Sequence, residues 1–345
     1  MTVASQALPA DHDRSVAIGP NRMREIATGW QQLQGTLGAT LAEAIPEGSR
    51  IVYLDYPVHK NVGDLLIYLG THYWINSANL QVMARHSLHT FGCPKLADDI
   101  ILVCHGGGNF GDLYPEHQSF REIMFETYRR NRIVILPQTV HFRSSEALAA
   151  TASKLNSHPD AHIFCRCAQS LATAQPELAA CHLRLAPDMA TFLYPLQSTL
   201  GLPSGTPNRP ELRLIRTDVE ASAQQMAWLT ADRAETADWN EMIGLPLRLL
   251  SGVYLRLDRH FPRHHSASVF EPIWRSIAEA MIRRSAGQMA RYRQVTTSRL
   301  HGHILATLLG ITNNVIDNSY GKNSSYIQTW HRPFVEQGLV RLSQT

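Results

Sequence analysis

The stretch TTSRLHGHILATLLG, residues 296–310, sets an arginine and a histidine two apart where a strand gives way to a helix. A strand–helix turn needs neither residue. QVTT reads as the strand, Ser298 as the helix N-cap and Gly310 as the C-terminal stop. A cation in the first turn is opposed by the helix dipole, by a few tenths to about 1 kcal/mol. Arg299 makes sense there if an anion occupies that helix end, held by unsatisfied amides and by a guanidinium fork worth about 1.5–3 kcal/mol. His301 can give or take a proton near neutral pH. The plainer alternative is that Arg299 pairs with Asp218 or Asp317 and that His301 merely closes the turn. Arg216, ending the strand LRLIRTD, favours the first reading, because two arginines at one helix end imply a ligand with two anionic groups.

Open α/β sheets bind ligands at the C-terminal ends of their strands. That rule selects His59, Asn61, Gly63 and Asp64 after the first strand, the glycines 106–108 with Asn109, Gly111 and Asp112 after another, and Gln138 and His141 after a third. In the second half it selects Arg216 and Asp218, Arg299 and His301, and Asp317, Asn318 and Lys322. GGGNFG matches G-x-G-x-x-G, yet Pro115 follows closely and no acid stands where a ribose would need one. It is read as amide-rich backbone lining a polar cleft, with Asn109 and Asp112 facing a hydroxylated ligand. Tyr320-Gly321-Lys322-Asn323 lacks the earlier glycine and the Ser or Thr of a phosphate-binding loop. Lys322 is either a surface lysine or a phosphate contact. His301 and His303 lie two apart and point to different helix faces, so they do not chelate a metal together. His260, His264 and His265 read as solvated loop. Cys165-Arg166-Cys167 has no second pair at zinc spacing. No metal site is expected.

The elements that must position these groups alternate between strand and helix. IVYLDYP, IILVCH, RIVILPQ, HIFCRC and LRLAPD are short, continuously apolar runs, as in parallel strands buried on both faces. Helices are expected between them, joined in right-handed βαβ units. LPSGTPNRPE (202–211), with three prolines and a glycine, is the expected linker. A second α/β half follows. The expected division is a loose tail over 1–20, one doubly wound domain over 21–200, a second over 201–320, and a C-terminal helix over 321–345 packing back toward the first, with a cleft between the two halves.

The 345 residues exceed what a single core usually holds. The net charge of +3 is mild and mixed along the chain, with no stripe for nucleic acid and no polybasic arm. Five scattered cysteines argue against a disulfide framework and for a reducing, cytoplasmic compartment. Residues 1–20 lack the apolar core of a signal peptide, and no run approaches the ~20 apolar residues of a membrane span.

HKNVGDLLI, CHGGGNFGDLY, NRIVILPQTVHF, FCRCAQS, LAPDMA, RTDVE, TSRLHGHILATLLGI and DNSYGKNSSYIQTW together resemble the polysaccharide pyruvyltransferase family, from about residue 50 to 335. The resemblance implies a GT-B-like fold, with two Rossmann-like domains facing across a cleft. It implies phosphoenolpyruvate as the donor co-substrate, no cofactor, and a cyclic pyruvate ketal as product. The acceptor it implies is a sugar of an exopolysaccharide or its lipid-linked repeat unit, and with it peripheral association at the inner face of the cytoplasmic membrane. Carried onto this chain, the donor side comprises Arg216, Arg299, Leu300, His301, Lys322 and Asn318. The acceptor side comprises Asn61, Asp64, Asn109, Asp112 and His141. His301 is the expected proton donor, and Asp64 or Asp112, helped by His141, the group that orients or deprotonates an acceptor hydroxyl. Two rivals remain at this stage: a nucleotide-sugar glycosyltransferase of the same fold, and a non-catalytic component of an exopolysaccharide assembly.

Overall fold

The structure, a computed structural model, describes residues 19–202, 206–216, 235–260, 267–317 and 321–343. The apolar runs form parallel strands. Ile51–Leu54, Leu102–Cys104, Ile133–Ile135 and Ile163–Cys165 are all buried, as a sheet covered by helices on both faces requires. Strands β1 (Arg50–Leu54), β2 (Gln81–His86), β3 (Ile101–Cys104), β4 (Gly107–Phe110), β5 (Ile133–Val140), β6 (Ala161–Cys165) and β7 (His182–Leu185) make one sheet. Its order is β2-β1-β3-β5-β6-β7, with β4 paired to β5. Strands β8 (Arg209–Leu214), β9 (Glu235–Ala237), β10 (Tyr292–Thr297), β11 (Thr312–Val315) and β12 (Val340–Leu342) make a second, ordered β12-β11-β10-β8-β9. Every pairing in both is parallel. The two orders follow one scheme. The chain builds outward from the first strand on one side, then returns to build on the other. The switch points fall between β1 and β3 and between β8 and β10, where such sheets open a crevice for ligands.

Helix α1 (Pro20–Ala42) buries a stripe of Ile26, Trp30, Leu33, Leu37 and Leu41. Helix α2 (Val62–Ser77) leaves the first switch point and is buried along most of its length. It lies so close to the 3₁₀ turn Met189–Leu193 that a Cβ on Gly70 would stand 2.1 Å from the Met189 carbonyl oxygen. Backbone cannot yield there as a side-chain tip would, so Gly70→Ala is expected to destabilise the protein by about 1–3 kcal/mol. Urea unfolding measures it, and an unshifted midpoint would contradict this packing.

The helices of the first half continue with α3 (Pro115–Thr127), α4 (Ser145–Leu155), α5 (Ala168–Ala174) and α6 (Leu196–Leu200). Beyond β9 come α7 (Trp239–Ile243), α8 (Leu245–His260), α9 (Ala267–Met289) and α10 (Leu300–Leu308). Helix α9 belongs to the crossover into β10 but packs on the first sheet's elements. Trp274 Nε1 donates to the Pro57 carbonyl at 2.7 Å, and the Tyr68 hydroxyl donates to Glu271.

Three expectations need correction. The proposed linker is shorter than 202–211, because Arg209–Glu211 already belong to β8, where Asn208 and Arg209 both donate to the Arg291 carbonyl. The expected N-cap Ser298 is not the cap. Arg299 takes that position, and the Ser298 hydroxyl accepts from the Arg216 amide at 3.0 Å, tying the ends of β8 and β10 together. The C-terminal segment is not helical throughout. Helix α11 (Lys322–Tyr326), the π turn Ile327–His331 and helix α12 (Arg332–Glu336) end at Gly338, whose φ of 68° favours glycine, and β12 follows on β11. These helices touch the first half. Trp330 Nε1 donates to the Arg166 carbonyl at 2.9 Å, and the Phe334 ring packs on Gly29 and Trp30.

Candidate active site

The two switch points meet. The N-terminus of α2 lies against the first turn of α10, and a Cβ on Gly63 would stand 2.9 Å from both Cβ and Nδ1 of His301. His301 is nearly buried, and its Nε2 is 3.2 Å from Asp188 Oδ2. Asp188, in turn, accepts from Arg166 Nη1 at 2.8 Å, and both members of that ion pair are fully buried. Asp188 Oδ1 also caps the 3₁₀ turn by accepting from the Ala190 amide. Burial works to raise the Asp188 pKa, but the fields and hydrogen bonds of His301 and Arg166 overcome it and hold the group ionised. A histidine from one half is thus oriented by an aspartate from the other.

Arg299 and His301 diverge, as residues two apart on a helix must. Arg299 Nη2 donates to Asp238 Oδ2 at 2.9 Å, and Nε stands 2.9 Å from Oδ1. The arginine does pair with a carboxylate, that of Asp238. Asp218 and Asn318 lie outside the described residues. His303 turns into the core, with Nδ1 2.7 Å from Asn313 Oδ1 and Nε2 2.8 Å from His331 Nδ1, and burial lowers its pKa to about 4. Leu300 is buried in the helix–sheet core. Gly310, with φ 71°, stops the helix as expected.

Lys322 is positioned by the residue after it. Asn323 Nδ2 donates to the carbonyls of Ser298 and Ile316, 3.0 Å each, and its amide donates to Asp317 Oδ1. That staple joins the ends of β10 and β11. Lys322 is almost buried, and its Nζ reaches over the glycine strip: a Cβ on Gly108 would stand 3.1 Å from Lys322 Nζ and 3.2 Å from Arg166 Nη2. A side chain at 108 would fill this space. The neighbouring Gly107 faces Asp64 Oδ1.

On the first-sheet side, Asn61 caps α2. Its Oδ1 accepts from the Gly63 amide at 3.1 Å, and its Nδ2 donates to Asp64 Oδ2 at 2.8 Å. His59 Nε2 lies 3.5 Å from the same carboxylate. Burial acts to raise the Asp64 pKa; His59, His301, His105 and Arg166, in falling order, outweigh it and hold it low. Asn109 is the hub of a buried polar web. Its Oδ1 accepts from Arg121 Nη2 at 2.6 Å and Gln138 Nε2 at 3.0 Å, and its Nδ2 is 3.1 Å from His117 Nδ1. Asp112 and His141 belong to a neighbouring turn. Asp112 accepts from the Arg143 amide at 3.0 Å, and His141 presents its carbonyl to Gly111, where a Cβ would stand 1.7 Å away.

Sequence reasoning missed Arg166, described above, and three further groups at this end of the sheet. Asp55 follows β1 directly, is buried, and holds φ 60°. His117, in the first turn of α3, stands 2.9 Å from its Oδ1. Burial acts to lower the His117 pKa, and Asp55 more than reverses it, so the net shift is upward. His105 ends β3 with Nδ1 2.6 Å from the Tyr53 hydroxyl, and its buried Nε2 has no hydrogen-bond partner. Burial lowers its pKa to about 4. The strand-end rule points to Asp55, His105 and Arg166, whereas nothing local marks His117. The site therefore carries two histidine–carboxylate pairs, His301–Asp188 and His117–Asp55, with Asp64 acting electrostatically on both histidines.

The sequence pattern of the family described as polysaccharide pyruvyl transferase matches residues 47–320. A Bacillus subtilis protein named "Putative pyruvyl transferase EpsO" is 39% identical over 301 residues, covering 87% of this chain and 89% of its own. "Pyruvyl transferase 1" of Schizosaccharomyces pombe is 27% identical over 293 residues, covering 81% and 69%. A crystal structure of an uncharacterised Klebsiella pneumoniae protein superposes with a TM-score of 0.61 at 19% identity, covering 91% of this chain and 99% of that one, which supports the α/β fold alone.

Proposed function

The chain belongs to the polysaccharide pyruvyl transferase family, and from that premise we propose that it draws pyruvate from phosphoenolpyruvate and closes it on two hydroxyls of one sugar as a cyclic ketal. The fold reading that goes with this is GT-B-like. Residues 21–200 hold the acceptor, residues 201–320 hold the donor, and the segment from 321 returns to the first half. The shared strand order of the two sheets supports it.

The chemistry asks for matched proton traffic. One sugar hydroxyl attacks C2 of the enol ester while the methylene carbon takes a proton and becomes methyl. The C–O bond to phosphate then breaks, and the second hydroxyl closes on C2. Of the two hydroxyl protons released, one is balanced at the methyl carbon and one on the departing phosphate. An acid and a base each contribute about 10²- to 10⁴-fold. The observation that carries this reading is the pair of histidine–carboxylate couples at one cleft, His117–Asp55 within the first half and His301–Asp188 bridging the two halves. In it, His301 delivers the proton on the donor side. Asp64, with His117 held by Asp55, takes the proton of the acceptor hydroxyl. Arg216, Lys322 and the α10 amides meet the carboxylate and phosphate, and Arg299, held by Asp238, stands beside them. Asn61 and Asn109 orient the acceptor, and Asp112 and His141 form its outer rim.

Incubation of the protein with phosphoenolpyruvate and candidate glycans, lipid-linked and free, tests the reading. Phosphate release is expected together with the mass gain of a pyruvate ketal on the sugar. Raised thermal stability with phosphoenolpyruvate, but not with UDP or GDP, is expected in parallel. Stabilisation by a nucleotide alone, without phosphate release, would move the assignment to a nucleotide-sugar transferase.

A further inference from the structure

We propose that α8 is an interfacial helix that lays its outward apolar face into an anionic membrane surface beside the acceptor entrance. One side of the helix is already spent on the protein. Leu247, Ser251, Tyr254 and Asp258 face inward; the Tyr254 hydroxyl donates to the Phe270 carbonyl at 2.9 Å, and Asp258 accepts from the Ser87 hydroxyl. The other side repeats every fourth residue: Leu245 is 63% exposed, Leu249 63%, Val253 54% and Leu257 39%, with Leu250 beside them at 49%. Five of the ten large apolar side chains exposed among the described residues thus lie on this one helix. Soluble surfaces scatter such residues singly, and a contiguous stripe marks a surface that something covers.

The charges identify the occupant. Arg248, Arg256, Arg259 and His260 are the exposed ionisable groups of the helix, and its single acid, Asp258, is turned inward. Arginines beside an outward leucine stripe are the composition of a helix lying in a lipid headgroup layer. A second copy of the chain on the same face would set arginine against arginine with no helix carboxylate between them. The position fits as well. A Cβ on Gly252 would lie 4.0 Å from Lys60 Nζ, in the loop that precedes Asn61. The apolar face therefore borders the mouth through which a saccharide carried on a lipid would reach Asp64. For the identity of that acceptor the inference rests on the function proposed above.

Flotation of the full chain with vesicles tests it, using phosphatidylcholine alone or phosphatidylcholine mixed with phosphatidylglycerol, at low and high salt. The wild-type protein is expected to float with the anionic vesicles, less so at high salt. Leu249→Glu/Val253→Glu is expected to lower the bound fraction about tenfold or more, with an unchanged melting temperature and unchanged phosphate release on a lipid-free glycan. A wild-type protein that stays soluble with both vesicles overturns the proposal, as does a double variant that floats equally well. A dimer dissolved by the same variant, without flotation, would overturn it in favour of a second copy. Flotation without phosphate release would instead leave the docking intact and remove the proposed reaction.

Discussion

Replacing His301 with glutamine is expected to lower turnover with phosphoenolpyruvate by about 10²- to 10⁴-fold, the range for losing a general acid. Glutamine keeps a polar atom within reach of Asp188, and the ring sits against Gly63, where no bulk is added by the change. The fold should survive, so circular dichroism and melting temperature serve as controls. The split between kinetic constants carries the weight: kcat should fall while KM for phosphoenolpyruvate changes little, because the charges that bind the donor are on other residues. A loss of less than about tenfold, with the protein folded, would take the proton-donor role away from His301.

The second large effect is on stability. Asp188→Ala leaves the Arg166 guanidinium fully buried without its counter-ion. Removing one partner of such a pair costs about 3–5 kcal/mol, because the other charge remains desolvated. The substitution also strips the cap from the 3₁₀ turn that α2 packs on. Arg166→Met with Asp188→Leu removes both charges, and most of the loss should then return, since apolar replacements of buried pairs are often neutral. Urea unfolding of the single and double variants measures both. If Asp188→Ala lowers stability by less than about 1 kcal/mol, the pair is not the buried unit described here. Activity should not return with stability in the double variant, because His301 still lacks its orienting carboxylate.

The parts legible in the sequence were those with local signatures. Continuous apolar runs marked the parallel strands, and the TTSRLHGHILATLLG pattern marked a strand, a helix first turn and a glycine stop. The strand-end rule found Asn61, Asp64, Arg216 and Lys322 because topology alone brings those positions to the crevice. The bond from His301 to Asp188 spans 113 residues, and Asp238 lies 61 residues from Arg299. Pairs that far apart leave no periodicity, so neither partner could be read from the sequence. Asp112 was read as a candidate because it is an acid after glycines, and its bond to the Arg143 amide, 31 residues on, carries no local signature. The edge strand β12 was hidden for another reason: VRL is too short to outweigh the helical run before it, and only pairing with β11 makes it a strand.

Helix α9 and the segment 322–336 fasten the two sheets together on either side of the first sheet's middle, one beside β2 and the other at the end of β6. Rocking the halves apart like a clamshell would break the Trp274–Pro57 and Trp330–Arg166 bonds at once, together with the aromatic packing around them. Each fastening therefore adds to the cost of opening the halves about a hinge. The same two fastenings hold His301, on the second half, at its distance from Asp188, on the first.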